Sequence, residues 1–241
     1  MTFRPDLLAG RTAIVTGGTT GIGAGIAEAL AGLGARVIAA GIEAGAYRAP
    51  AGLDVEPREL DVTDEAGVAS LVESCPRIDV VVNCAGIIRR VEEHRLDVFE
   101  RVLAVNLTGT MRVCTAARPK LAASGGCIVN TASMLSFFGG SLVPAYSASK
   151  GAVAQLTKSL ALAYAPDGIR VNAVAPGWIA TPLTRALQDD PARSQPILAR
   201  TPLGRWGTPG DVAGAVCFLV SPAAAFMTGV ILPVDGGYLV A

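Results

Sequence analysis

The sequence predicts an α/β fold, a doubly wound parallel sheet of seven strands with helices on both faces. Short runs rich in valine and isoleucine alternate with longer helical patterns along the chain. These runs are continuously apolar, which is typical of parallel strands buried on both faces. No linker, repeat or low-complexity tract interrupts the 241 residues, so residues 1–241 are predicted to form a single domain.

The first half of the predicted sheet begins with the apolar run TAIVTG at 12–17. The helical pattern at 25–35 ends beside a glycine, which favours helix termination there. The run RVIAA at 36–40 predicts the second strand, and the shorter run RELDV at 58–62 predicts the third. The alternation of strand and helix predicts a parallel arrangement with crossover helices.

The middle of the chain continues this alternation. A helix over 64–74 precedes the fourth strand, IDVVVN, at 78–83. Long helical stretches at 97–118 and 145–165 flank the fifth strand, CIVNTAS, at 127–133. Ligands of such folds bind beyond the carboxyl ends of the strands, so the residues that follow each strand are the candidates for a site.

The last part of the sheet comprises a strand at 169–176, a helix at 211–220 and a final strand at 230–235. Between the first two of these lies the segment 180–208, which has an irregular pattern broken by prolines. We expect this insertion to be a substrate lid.

Composition narrows the class of protein. Hydrophobic residues make up 51% of the chain, and 20 basic residues balance 20 acidic ones, which predicts no basic face for nucleic acid or an anionic membrane. The most apolar stretch, 22–46, contains Glu28 and Arg36 and is therefore not a membrane span. The five cysteines are scattered and no metal-ligand cluster is present, so we expect reduced thiols, no metal and a cytoplasmic location.

The turn TGGTTGIG, residues 16–23, joins the first strand to the first helix. Gly17, Gly21 and Gly23 let the backbone turn tightly and approach a pyrophosphate, which the helix N-terminus then binds. The alternative is a glycine-rich turn that serves close packing alone.

The segment YSASK places Tyr146 four residues before Lys150. On a helix these two side chains are neighbours, and a cation beside a phenol lowers its pKa. The pattern therefore predicts a tuned proton donor. The alternative is two residues on a solvated helix face.

The glycine spacing, NCAG at 83–86, Ser133, and Tyr146 with Lys150, taken in this order, resemble the short-chain dehydrogenase/reductase family over essentially the whole chain. The resemblance implies a Rossmann-like fold that transfers a hydride between a nicotinamide cofactor and a secondary alcohol or ketone. It also implies the catalytic set Asn106, Ser133, Tyr146 and Lys150.

Each catalytic residue has a role in the family. Tyr146 moves the proton on the substrate oxygen, and Ser133 donates a hydrogen bond to that oxygen. Lys150 lowers the phenol pKa and holds the nicotinamide ribose, while Asn106 holds a water that links Lys150 to solvent.

The resemblance further implies a set of cofactor-binding residues. Among these, Asp61 and Val62 would meet the adenine, and Ile179 and Thr181 the nicotinamide carboxamide. Cys84 stands where the family usually has a second asparagine, which puts local stability in doubt. The full set is Gly17, Thr20, Gly21, Ile22, Asp61, Val62, Asn83, Ala85, Gly86, Tyr146, Lys150, Pro176, Gly177, Ile179 and Thr181.

The cofactor is expected to be NAD, with NADP less favoured. Family members that use NAD commonly carry aspartate where this chain has Gly41. Those that use NADP commonly carry arginine where it has Ile42, or a basic residue where it has Thr20. A 2′-phosphate requires a cation, and Glu43 would repel it.

The segment NCAGIIRRVEEH, with SMLSFFGG and GRWG, is similar to the 2-deoxy-D-gluconate 3-dehydrogenase and gluconate 5-dehydrogenase branch of the family. This implies a sugar acid or its keto form as substrate, with a carboxylate held by an arginine fork. Alternatively, the arginines pair with Glu92 and Glu93 in water, or Phe137 and Phe138 help to build a pocket for an apolar cyclic or terpenoid ketone. The predicted substrate-binding residues are Arg89, Arg90, Met134, Leu135, Phe138 and Trp178.

Two function classes are alternatives to an oxidoreductase. A hydrolase is disfavoured because the chain has one histidine, His94, and no G-x-S-x-G turn. A catalytically silent dinucleotide-binding protein remains an alternative. Because residues 147–165 are rich in small side chains and family members are commonly tetramers, we expect a homotetramer.

Overall fold

The predicted parallel sheet is present in the computed structural model of the chain, which describes residues 3–241. All seven strands are parallel, in the order β3-β2-β1-β4-β5-β6-β7. The strands are β1 (Thr12–Thr16), β2 (Arg36–Gly41), β3 (Val55–Glu59), β4 (Val80–Asn83), β5 (Cys127–Thr131), β6 (Arg170–Pro176) and β7 (Ile231–Val234). Strand order reverses between β1 and β4, and such a reversal opens a crevice at the carboxyl ends of the strands.

Helices cover both faces of the sheet. They are α1 (Gly21–Ala31), α2 (Glu65–Ser74), α3 (Leu96–Leu103), α4 (Thr110–Ser124), α5 (Pro144–Tyr164), α6 (Arg185–Gln188), α7 (Pro191–Ala199) and α8 (Pro209–Val220). On one face, Ile26 of α1 and Val216 of α8 pack on Val15. On the other, Leu71 of α2 and Leu160 of α5 belong to the core around Ile14.

Two predicted elements are displaced along the chain in the structure. The third strand lies at 55–59 instead of 58–62, because the apolar side chains of Leu60 and Val62 are buried in the loop beyond the strand. Helix α1 begins at Gly21 instead of residue 25, so the end of the glycine turn forms its first helical turn.

The predicted helix over 97–118 is a composite. Helix α3 is followed by a π-helical segment, Ala104–Gly109, and then by α4, which continues to Ser124. The π-helical segment contains Asn106, and such segments occur frequently at functional sites.

The segment 180–208 contains α6 and α7. A parallel bridge between Ile179 and Gly207 joins the two ends of the segment. Its role as a lid stays a prediction. Within residues 3–241, none of the helices has the length and apolar character needed to cross a membrane.

Candidate active site

A cleft of about 580 Å³ lies at the carboxyl ends of the strands, between the glycine turn and α5. It brings together most of the residues predicted to bind a dinucleotide. Those that line it are Gly17, Thr20, Gly21, Ile22, Asp61, Val62, Ala85, Gly86, Tyr146, Lys150 and Thr181. Asn83, Pro176, Gly177 and Ile179 are not among its lining residues.

The glycine turn has the geometry of an anion cradle. Gly17 and Gly21 adopt φ values of 64° and 52°, which residues other than glycine rarely adopt. A β-carbon on Gly17 would lie 2.8 Å from the Ala85 nitrogen, so this close approach requires glycine. Thr20, at the capping position of α1, makes no side-chain capping bond, so the first amides of the helix are available to an anion such as a pyrophosphate.

The part of the cleft predicted to bind adenine contains a carboxylate, Asp61. Asp61 accepts hydrogen bonds from the Thr63 nitrogen at 2.8 Å and the Thr63 hydroxyl at 2.7 Å. These bonds, with Arg101 at 3.3 Å, lower the pKa of Asp61 below its usual value. Asp61 is thus an acceptor suited to an adenine amino group.

The end of β2 places negative charge beside Ile42, which is 65% exposed. The Glu59 carboxylate accepts hydrogen bonds from the backbone nitrogens of Glu43 at 3.0 Å and Ala44 at 2.9 Å. Arg48 donates to the carbonyls of Gly45 and Tyr47 on its own loop and does not line the cleft.

Asn106 is fully buried in the π-helical segment. Its side-chain oxygen accepts from the Ile87 nitrogen at 2.8 Å, and its amide nitrogen donates to the Ile87 carbonyl at 3.0 Å. The same nitrogen donates to the Ser149 hydroxyl at 3.1 Å, which in turn donates to the Tyr146 carbonyl at 2.7 Å. Asn106 therefore fixes the loop after β4 against α5.

Ser133 follows β5 and caps a short 3-10 turn, accepting from the Leu135 nitrogen at 3.2 Å. The Ser136 hydroxyl accepts from the Ser133 nitrogen at 3.2 Å and donates to the Lys150 carbonyl at 2.7 Å. Ser136, which is not among the predicted residues, ties the Ser133 loop to the helix that carries Tyr146 and Lys150.

Lys150 is almost fully buried. Its amine donates to the Thr131 carbonyl at 2.6 Å and lies 5.6 Å from the centroid of the Tyr146 ring. Burial lowers the pKa of Lys150 to about 8, since the charged amine loses its hydration.

The expected lowering of the Tyr146 pKa is absent from the structure. Burial raises the pKa of Tyr146 to about 12, and this effect exceeds the opposing contributions of Ser133 and Arg90. The prediction was wrong for the free protein because spacing brings the lysine near the phenol but does not reveal that both groups are dehydrated. An added positive charge in the cleft would favour the phenolate.

Two buried side-chain oxygens near the cleft have no hydrogen-bond partner among residues 3–241, the Thr131 hydroxyl and the Asn83 amide oxygen. Thr131 lines the cleft, and an unpartnered polar atom there fits a site for a polar ligand. The Asn83 amide nitrogen donates to Asn130 at 2.9 Å and to the Cys114 sulfur at 3.3 Å, which connects β4, β5 and α4. The glycine turn and Thr131 therefore fit a polar ligand such as a nicotinamide dinucleotide, whereas Asn83 braces the strands.

The two predicted substrate arginines occupy different places. Arg89 is exposed and lines the dinucleotide cleft. Arg90 is partly buried, and within residues 3–241 its guanidinium has neither a hydrogen bond nor a salt bridge. Burial and the nearby Arg193 lower the pKa of Arg90, whereas Tyr146 and Glu93 raise it. Arg90 is not among the lining residues of the cleft, and its guanidinium can pair with an anion.

The alternative of solvated arginine–glutamate pairs does not hold. Among residues 3–241 no salt bridge joins these arginines to Glu92 or Glu93. Glu93 is only 1% exposed and accepts hydrogen bonds from backbone nitrogens.

The predicted apolar contacts are dispersed. Met134 is buried and Leu135 partly buried, whereas Phe138 is exposed and stacks on Tyr238 with 6.1 Å between ring centroids. Trp178 contacts Trp206 and Tyr238 and lines a second cavity of about 480 Å³ near the C-terminus. The structure thus does not gather these side chains with Phe137, which is also exposed, into one apolar pocket.

Thr131, Ser136 and Ser149 were not among the predicted site residues, and Glu93 entered only in the alternative of arginine–glutamate pairs in water. Each lies within five residues of a predicted residue, which was the only available signal. Their roles depend on contacts between segments that are distant in the chain, such as the one between Glu93 and Tyr146.

Comparisons with known proteins agree with this geometry. The family model described as enoyl-(acyl carrier protein) reductase matches residues 17–239. The chain is similar to 2-dehydro-3-deoxy-D-gluconate 5-dehydrogenase of Bacillus subtilis, at 45% identity over 96% of both chains. It is also similar to cis-4-hydroxycyclohexanecarboxylate dehydrogenase of Sinomonas cyclohexanicum, at 43% identity over 97% of this chain and 98% of that one.

A solved structure shares the fold. The gluconate 5-dehydrogenase of Burkholderia cenocepacia J2315, in complex with NADP and tartrate, aligns with a TM-score of 0.92. The two chains are 35% identical, and the alignment covers 100% of each.

Proposed function

The chain belongs to the short-chain dehydrogenase/reductase family and is an oxidoreductase acting on a CH–OH group, and from this premise we propose that its substrate is a sugar acid or the matching keto acid. The observation that carries the proposal is Arg90, a partly buried guanidinium without a partner among residues 3–241 that lies near the phenol of Tyr146. A carboxylate would satisfy its donors through charge-assisted bonds.

Each residue of the predicted catalytic set has a separate role in the reaction. Tyr146 takes the proton from the alcohol oxygen during oxidation and returns it during reduction. Ser133 donates a hydrogen bond to that oxygen, and Lys150 supplies positive charge 5.6 Å from the centroid of the Tyr146 ring. A nicotinamide bound in the cleft would supply the hydride acceptor or donor.

The similar proteins support a carboxylate-bearing substrate. The substrates named for the Bacillus and Sinomonas enzymes carry a carboxylic acid group together with an alcohol or ketone group. Tartrate, bound to the Burkholderia enzyme, is a hydroxy acid as well. The carboxylate is therefore the feature common to an open-chain and a cyclic substrate.

A neutral apolar ketone is the second candidate. It is favoured only by the exposed rings of Phe137 and Phe138, which do not enclose a pocket in this structure. A silent dinucleotide-binding protein has no chemical need for the complete set of Asn106, Ser133, Tyr146 and Lys150.

Arg90→Ala tests the acid proposal. We expect kcat/KM for sugar acids to fall by about ten- to a hundredfold, the range for losing a charge-assisted bond of roughly 1.5–3 kcal/mol. A neutral polyol of similar size should lose much less, and Arg89→Ala should affect acids less than Arg90→Ala does. Equal losses on acids and polyols would reject carboxylate recognition by Arg90.

We also propose that NAD is preferred to NADP. The Glu59 carboxylate binds the Glu43 nitrogen just after β2. Gly41 and Ile42, which line the cleft there, carry no charge, and Arg101, which also lines the cleft, is paired with Asp61. The Burkholderia enzyme differs, since its structure contains NADP. The ratio of kcat/KM for NAD to that for NADP should exceed one.

Ile42→Arg should increase kcat/KM for NADP by about ten- to a hundredfold, because the guanidinium can pair with the 2′-phosphate. Ile42→Gln is the matched neutral control and should not produce this gain. An NADP preference in the unaltered protein would contradict the proposal and indicate a cation that reaches the ribose from another segment.

The homotetramer, the cytoplasmic location and the lid over 180–208 remain predictions. Partial proteolysis with and without NADH tests the lid, since a segment that closes on the cofactor should become protected.

A further inference from the structure

Glu93 is a buried carboxylate outside the catalytic set. It lies in the 3-10 turn Glu92–His94, between β4 and α3, and is 1% exposed. One oxygen accepts from the Arg89 nitrogen and the other from the Tyr146 nitrogen, both at 2.8 Å. Burying a carboxylate this deeply costs free energy unless hydrogen bonds replace its lost hydration.

The bond to Tyr146 caps α5 from a distant part of the chain. Tyr146 is the third residue of the helix, and the residue at the capping position, Val143, makes no side-chain hydrogen bond. A negative charge at a helix N-terminus is favourable, and an amide in the first turn lacks an acceptor within the helix. Glu93 thus holds the backbone of the proton-transfer residue.

The bond to Arg89 fixes the loop that carries Arg90. Between Arg90 and Glu93 the chain passes through Val91 at φ 70°, a conformation that costs a β-branched residue free energy and persists only when its surroundings impose it. The Val91 nitrogen donates to the Leu142 carbonyl at 2.8 Å, so this loop is held by the segment that leads into α5.

We propose that Glu93 is a positioning residue that sets Arg90 and Tyr146 at a fixed separation, so that binding the carboxylate end of the substrate places its reacting carbon at the phenol. This inference rests on the proposed function. Glu93 does not touch the reacting atoms and acts through the two backbone amides.

The charge of Glu93 gives a second measurable effect, on the pKa of Tyr146. The groups that face Tyr146 are Cys84, Arg90, Glu93, Ser133 and Lys150. Among them, Glu93 contributes to raising the pKa of Tyr146. Removing this negative charge should shift the ascending limb of kcat against pH for alcohol oxidation to lower pH.

The experiment compares Glu93→Gln, Glu93→Asp and the exposed control Glu100→Gln. Glu93→Gln should lower kcat/KM for sugar acids by about ten- to a hundredfold, because its amide group cannot accept from both nitrogens. Its ascending limb should also move to lower pH. Glu93→Asp keeps the charge but is too short to span both amides, so it should lose efficiency on acids without moving the limb. Glu100→Gln should match the unaltered protein.

A Glu93→Gln protein with unchanged efficiency and an unchanged limb would overturn the inference. Equal losses of kcat/KM on acids and neutral polyols in Glu93→Asp would overturn it as well. This variant also decides the question if Glu93→Gln does not fold. If the unaltered protein oxidises polyols but no acid, the proposed substrate class fails. The limb measured with a polyol would then still show whether the charge of Glu93 acts on Tyr146.

Discussion

Tyr146→Phe is expected to lose turnover by about 10²- to 10⁴-fold, the usual contribution of a positioned acid–base group. Only the hydroxyl is removed, so the ring should keep its place beside Lys150 and the cleft should keep its shape. Cofactor affinity should therefore stay close to that of the unaltered protein.

Turnover and NADH affinity, the latter from NADH fluorescence, are the two measurements needed. Tyr47→Phe is the matched control, because the Tyr47 hydroxyl donates to Glu28 outside the cleft. Substantial turnover by Tyr146→Phe would refute the assignment of the proton-transfer residue. A joint loss of turnover and affinity would indicate a structural role for the hydroxyl.

Lys150→Met should lose turnover to a similar extent and also bind cofactor more weakly, since the amine is the only lysine cation that lines the cleft among residues 3–241. It should nevertheless be more stable near pH 7. Burial lowers the pKa of Lys150 from 10.5 to about 8, so the folded state holds a costly charge below pH 8. The expected gain in the free energy of unfolding is on the order of 1–3 kcal/mol.

The pH dependence has a definite sign. Above a pH of about 8 the folded protein binds fewer protons at Lys150 than the unfolded chain does, so the stability of the unaltered protein rises with pH. Lys150→Met lacks this contribution, and its advantage should shrink as the pH rises from about 8 towards 10.5. Chemical denaturation across this range measures the difference. An advantage that grows with pH would contradict the buried, charged lysine.

The sheet could be predicted from the sequence because each strand is short, apolar throughout and buried on both faces. The third strand was placed too late because β3 lies at the sheet edge, where Glu56 and Arg58 tolerate water while Leu60 is buried in the loop. The π-helical segment around Asn106 could not be predicted, since its residues also fit an α-helix.

That most of the predicted dinucleotide residues line one cleft could be expected, because glycine conformation and strand ends constrain the chain locally; that they bind a cofactor stays a prediction. The direction of the Tyr146 pKa could not be predicted, because dehydration depends on everything packed around the phenol. The burial of Glu93 was missed for the same reason: its partner Tyr146 lies 53 residues away in the chain.

The most direct test mixes the protein with NAD and a panel of sugar acids and neutral polyols matched in size, and follows NADH formation. We expect NADH from acids, little from polyols, almost none with Tyr146→Phe and much less from acids with Arg90→Ala. No reduced cofactor from any alcohol with either NAD or NADP, under conditions where the cofactor binds, would contradict hydride transfer and favour a silent dinucleotide-binding protein.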